Sequence, residues 1–213
     1  MKTDELISLL SAGNRQVDTA RLRRMTWLAG LAALVLTAAI VVMTIGARRD
    51  LSQAMLTLPV IAKFVFGASV AAISLTLFQR SLRPGLPTRR LLPLVAIPIG
   101  LVGAWAALTL FQAPPEQRTM LIVGRHWVDC LVYVPLFALC PLAILASLAR
   151  HGAPVDRGLT SLLAGLASAG LAAVAYALHC PDDTVAFLAT WYTAAVLIAA
   201  AFATVALPRL LRW

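Results

Sequence analysis

The sequence predicts an all-α polytopic membrane protein, a bundle of six transmembrane helices with both termini in the cytoplasm, and three observations carry that prediction. Of 213 residues, 61% are hydrophobic and 13% charged, against about 45–50% and about 25% in ordinary globular domains. A soluble domain of this length leaves too much surface in water to hide so much apolar area, so lipid must be the solvent for most of the chain. Six stretches, about 26–45, 59–78, 91–111, 128–148, 159–178 and 187–207, then meet the length a helix needs to cross a bilayer core. That length is about 20 apolar residues for a core of about 30 Å. The third observation is where Lys and Arg fall. Thirteen lie before the first span, in the second and fourth loops or after the last span; only Arg48, Arg49, Arg118 and Arg125 lie on the other side, and Lys63 sits within a span. Cytoplasmic loops carry the basic excess, so the loops bearing His126 and His179 face the periplasm. The inner membrane of a bacterium is the expected location.

Taken in order, residues 1–25 form a cytoplasmic segment and residues 26–213 the six-helix membrane domain. Within the segment, Thr3 can cap a helix that starts at Asp4-Glu5, whose charges suit the positive end of the helix dipole. Leu6, Ile7, Leu9 and Leu10 give that helix an apolar face before Gly13-Asn14 ends it. Two turns are marginal alone in water. Its polar positions are Asp4, Glu5, Ser8 and Ser11 rather than the Lys and Arg of a membrane-lying helix, which favours docking in a partner's groove over a frayed tail. The first apolar run, from near Met25, is long enough to span rather than be cleaved as a signal.

The spans are separated by Arg48-Arg49-Asp50, by Arg80 to Arg90 with Pro84-Gly85, by Pro114-Pro115-Glu116, by Arg150 to Arg157, and by His179 to Asp183. Small residues at Gly165, Ser168, Ala169 and Ala172 allow close helix packing in the fifth span. Lys63, about one turn into the second span, is an intramembrane charge, which is costly and a mark of function unless it snorkels to the interface. Trp127 and Trp191-Tyr192 fit an aromatic belt.

Chemistry concentrates at two helix ends. Cys130 opens the fourth span after Gly124-Arg125-His126-Trp127-Val128-Asp129, and Cys180 closes the fifth in His179-Cys180-Pro181-Asp182-Asp183. An oxidising periplasm permits a disulfide there. Thiolates and imidazoles also suit zinc, cadmium or copper(I). His126, four residues before Cys130, shares its face if the helix starts early enough. Cys140, beside Pro141 at mid-span, reads as packing. No nucleophilic triad, Gly-rich phosphate loop or paired-carboxylate site is present, so no catalysis is expected. The pI near 10.7 reflects topology-setting loops rather than direct nucleic-acid binding.

The opening Met1-Lys2-Thr3-Asp4-Glu5-Leu6-Ile7, the His179-Cys180-Pro181-Asp182-Asp183 motif, Phe187 with Trp191-Tyr192, and the closing Arg209-Leu210-Leu211-Arg212-Trp213 together resemble the NrsF family. Asp182-Asp183 stands where Glu-Asp is common in that family, a conservative departure. The resemblance implies a membrane anti-sigma factor whose partners are an extracytoplasmic-function sigma factor and the lipid bilayer. It implies Thr3, Leu6, Ile7, Leu9 and Leu10 as partner-binding residues. It also implies a periplasmic sensor at Cys130 and Cys180, with His126 and His179 beside them. No constitutive cofactor follows, only a transient heavy-metal ion at the cysteine pair, or its oxidation. The competing expectation is a small transporter or channel, with Lys63 and the periplasmic Cys and His residues lining a path. Spans without central polar residues and without an internal repeat weigh against it.

Overall fold

The computed structural model describes residues 19–83, 85–150, 152 and 154–210. Every regular element among these residues is helical, and six stretches are long and apolar enough to cross a membrane. Helix α1 spans Thr19–Thr44 and is followed by the single turn α2, Leu51–Ala54. Helix α3, Leu58–Ser81, carries Pro59 in its first turn, where a missing N–H costs nothing. A 3₁₀ run, Thr88–Val95, containing Pro93 leads into α4, Ala96–Gln112. Helix α5, Pro115–Val123, is separated from α6, Trp127–Ala149, by Gly124 at φ +62°. Helix α7, Arg157–Tyr176, is capped by Asp156, whose carboxylate accepts the Leu159 N–H at 2.9 Å. Helix α8 opens as Val185–Phe187 on the Thr184 cap, passes through a π turn at Leu188–Tyr192 and continues as Thr193–Leu210.

The long helices match the expected spans to within a few residues, with two informative differences. Pro114-Pro115 reads as a break, yet Pro115 starts α5, because proline is suited to the first helical position. The helix α1 already includes Thr19, so the basic residues Arg21, Arg23 and Arg24 share one helix with the first span. The partner-binding residues Thr3, Leu6, Ile7, Leu9 and Leu10 lie outside the described residues.

Helix α7 is the axis of the bundle: 78% of its most apolar stretch is buried, against 17% for the third span. It packs on α1, α3, α6 and α8. Its small residues make this possible. A Cβ on Gly170 would lie 2.6 Å from the Ala71 nitrogen and 2.9 Å from the Gly67 oxygen, and one on Gly165 would lie 2.9 Å from the Ala200 Cα. Backbones therefore touch where α7 crosses α3 and α8, which brings dispersion contacts that larger side chains would prevent. Helix α4 lies at the edge, with Leu101, Leu108 and Phe111 turned outward.

Candidate functional site

The two ends of the bundle differ in chemistry. One, the thiol end, gathers the Gly46–Asp50 loop, the start of α3, the α5–α6 junction and the α7–α8 loop. The backbone at the end of α7 makes a tight turn: the His179 and Cys180 N–H groups both bond the Tyr176 carbonyl, at 2.9 and 3.0 Å. Pro181 cannot continue a helix, and the chain that follows presents two carboxylates in opposite directions.

Asp182 faces α6. One of its oxygens accepts the backbone N–H groups of Arg125 at 3.1 Å and His126 at 2.7 Å, with the His126 imidazole Nδ1 at 3.2 Å. Gly124 makes room for it: a Cβ there would sit 2.9 Å from that carboxylate and 2.6 Å from the Phe187 ring. Asp183 faces the opposite way and is gripped by two cations. Arg48 donates to its two oxygens at 2.8 and 2.7 Å, and the Lys63 ammonium donates at 2.6 Å. Both cations also reach the Cys180 carbonyl, Lys63 at 3.1 Å and Arg48 at 3.2 Å. Arg48 further pairs with Asp50 at 2.8 Å. The Arg48 N–H bonds the Leu178 carbonyl at 3.0 Å, and the His179 Nδ1–H donates to the Gly46 carbonyl at 2.8 Å, so the first loop straps the Cys180 loop down. On the far side, Thr184 donates to the Leu121 carbonyl at 2.6 Å and the Trp191 indole to that of Ile122 at 2.7 Å, while the Trp127 and Trp191 rings meet at a tilt with centroids 4.9 Å apart.

Beneath this polar lid lie the thiols. Cys130 and Cys180 are both free and 0% exposed, within electrostatic reach of each other; Cys140 is free and half-buried. Tyr176 and Tyr192 flank them, with ring centroids 5.9 Å apart, and both hydroxyls are buried without a hydrogen-bond partner. Among the described residues no group of three or more His, Cys, Asp and Glu side chains is placed to hold a metal ion. The structure brings Cys130 and Cys180 to one end but turns His126 to Asp182 and His179 to Gly46.

Several sequence expectations are refined here. Lys63 does not snorkel: it is 0% exposed and ends on Asp183. Tyr192 is no interfacial anchor, being fully buried, whereas Trp127 remains partly exposed. Arg48 and Asp183 were not singled out by the sequence as a pair. Lys63 was the signal, since a charge within a span calls for a counter-charge.

Electrostatics follow burial and partners. Burial raises the Cys180 thiol, with Lys63 acting the other way, so the resting group is the protonated thiol. Burial also acts to raise the Asp183 carboxyl, but the hydrogen bonds from Arg48 and Lys63 outweigh it and hold Asp183 below the ordinary carboxylate range. A carboxyl depressed in the folded state contributes stability that is complete above its unfolded value, about 3.9, and is lost as pH falls through its folded value. The thermal midpoint of the purified protein should therefore be insensitive to Asp183 between pH 7 and 5 and fall in the acid range below about 4. Melts of Asp183→Asn across the same range should lack this part of the acid loss; an identical acid profile would show that Asp183 does not contribute.

At the opposite, arginine end, a hollow of about 340 Å³ is lined by Ser81, Arg83, Leu86, Arg89, Val155 and Leu159, among others. Arg89 pairs with Asp156 at its rim at 2.8 Å, and Thr160 donates to Ser81 at 3.0 Å beside its floor.

Comparison with known proteins gives a consistent result. The sequence model of the family described as negative regulator of sigma F matches residues 10–213. The chain is 34% identical over 225 residues to the probable anti-sigma-F factor NrsF of Azospira oryzae. It is 34% identical over 221 residues to the anti-sigma-F factor NrsF of Caulobacter vibrioides. Each alignment covers 100% of both proteins. No solved structure matches.

Proposed function

The chain belongs to the NrsF family of negative regulators of sigma F, and on that premise we propose that it holds an extracytoplasmic-function sigma factor at the bacterial inner membrane and releases it when Cys130 and Cys180 are metallated or oxidised. The helices α1, α3, α4, α6, α7 and α8 cross the bilayer, with the thiol end in the periplasm and the arginine end in the cytoplasm, as the distribution of Lys and Arg requires. The sigma factor is held at the arginine end by the segment Thr3 to Leu10, through Leu6, Ile7, Leu9 and Leu10, together with the loop from Gln79 to Arg90. That loop edges an apolar hollow rimmed by Arg83 and Arg89, a surface suited to an apolar side chain flanked by acidic ones.

The observation that carries the sensing half is the burial of two free thiols under one lid, at the end that faces the oxidising compartment. Two sulfurs without a third ligand among the described residues suit a soft ion bound by thiolates, or a disulfide, better than a four-ligand structural zinc site. His126 and His179 contribute by fixing the lid through Asp182 and Gly46. Cys130 and Cys180 would supply thiolate ligands to such an ion, each losing its proton on binding, and the lid keeps both enclosed until then.

The test is capture of sigma factors by the full chain in lipid nanodiscs, alongside a variant lacking residues 2–12 and the double variant Cys130→Ser, Cys180→Ser. One sigma factor should be captured by the intact chain and lost on the deletion. Cadmium or a mild oxidant should release it from the intact chain and not from the double variant. No capture by the intact chain would overturn the sequestration reading, and equal release from the double variant would overturn the sensor.

A further inference from the structure

The Cys180 loop is held by an unusual arrangement. Its carbonyl accepts from two cations, Lys63 and Arg48, and the same two cations share the Asp183 carboxylate three residues on. Lys63 is 0% exposed and the Arg48 side chain 6%, so water cannot replace either partner while the loop stays shut. In such surroundings a half-broken network is costlier than a closed or a fully rearranged one. Opening the loop therefore breaks the whole network at once rather than one bond at a time.

The identity of the helix that carries Lys63 matters as much. From Lys63 to Ser81 the helix α3 advances by 81 − 63 = 18 residue steps, about 27 Å at about 1.5 Å per step, which approaches the bilayer core thickness of about 30 Å. One turn beyond Lys63 it meets α7 backbone to backbone at Gly67 and Gly170, a close contact with little slack to absorb a shift. At its far end Ser81 bonds Thr160 and edges the arginine-lined hollow. One rigid rod thus joins the Cys180 lid to the opposite end.

We propose that Lys63 and Arg48 are positioning residues of the sensor: they clamp the Cys180 loop shut through its carbonyl and Asp183, and α3 carries the opening of that clamp to the partner-holding end. The proposal rests on the reading of Cys180 as a sensory residue and adds the groups that set its resting state and transmit its change.

Two readouts on the full chain in nanodiscs test it. The first is the rate at which N-ethylmaleimide, a small uncharged reagent, alkylates Cys180 as the only thiol, in a Cys130→Ser, Cys140→Ser background. Lys63→Met should speed labelling by about tenfold or more, the scale set by one hydrogen bond to a charged group. Lys63→Arg, which keeps the charge, should restore a slow rate, a rescue that general loosening would not give. Arg48→Gln, which leaves Lys63 on Asp183, serves as the second clamp variant should Lys63→Met fail to fold. The second readout is retention of the captured sigma factor by the same clamp variants with all cysteines present and no inducer. Faster labelling with weakened retention supports the proposal. Unchanged labelling in a folded clamp variant overturns it, as does faster labelling with retention equal to that of the parent. If the parent captures no sigma factor, the sequestration reading fails by itself, and the labelling rates still decide whether the clamp holds Cys180.

Discussion

Asp183→Ala is expected to destabilise the protein by about 3–5 kcal/mol, the usual cost of removing one partner from a buried ion pair. The reason is the company Asp183 keeps. Lys63 and Arg48 both end on it, and Lys63 has no exposure to water. Without the carboxylate, Lys63 keeps the Cys180 carbonyl and the Tyr192 ring 5.9 Å away but loses its counter-charge in a site without water. Arg48 fares better, because Asp50 still accepts from it. Lys63→Met should cost less, since Asp183 keeps both bonds to Arg48 and the methionine fills the vacated space with apolar atoms. The combination Lys63→Met, Asp183→Leu should then be more stable than the sum of its single changes predicts, because it leaves no orphaned charge on Lys63 or Asp183. Reversible unfolding in mixed micelles across this set measures the coupling. Strictly additive effects would mean that Lys63 and Asp183 do not depend on each other.

The second large effect is expected at the α3–α7 crossing. Gly170→Val should cost about 1–3 kcal/mol at the least, the range for overpacking a tight contact. The atoms that its Cβ would strike, Ala71 N at 2.6 Å and Gly67 O at 2.9 Å, belong to backbone and cannot rotate away. The two helices would have to separate, undoing contacts along both. Gly103, on the peripheral helix α4, has nothing within 4 Å of its would-be Cβ, so Gly103→Ala should be neutral or stabilising by about 0.5–1 kcal/mol, the gain of replacing a helical glycine. Unfolding measurements on the two variants under one condition make the comparison. Similar stabilities for both would refute the close-approach account of this fold.

Both predictions concern features that the sequence marks without explaining. Lys63 stood out as a charge in an apolar span, but its counter-charge lies 120 residues away, beyond any local pattern. His126 and Cys130 have the i, i+4 spacing of a shared helical face. Yet the helix starts only at Trp127, leaving His126 in the flanking non-helical position at φ −117°, where it bonds Asp182 instead. The stripe Gly165, Ser168, Ala169 and Ala172 correctly signalled close packing, while which helices come close at Gly165 and Gly170 depended on how the bundle is assembled.

By itself the sequence determined the number of long apolar helices, their approximate ends and the placement of Cys130 and Cys180 at helix termini. Each of these depends on the composition of one contiguous stretch, and hydrophobic length is a local quantity. Its most specific motif also pointed to the family. Only the tertiary structure decided that α7 is the axis, that α3 rests on it through glycine, and that Arg48, Lys63 and Asp183 close over Cys180. Those outcomes come from side chains distant in sequence meeting where water is excluded, and there an unpaired charge or an open gap costs more than any local preference can offset.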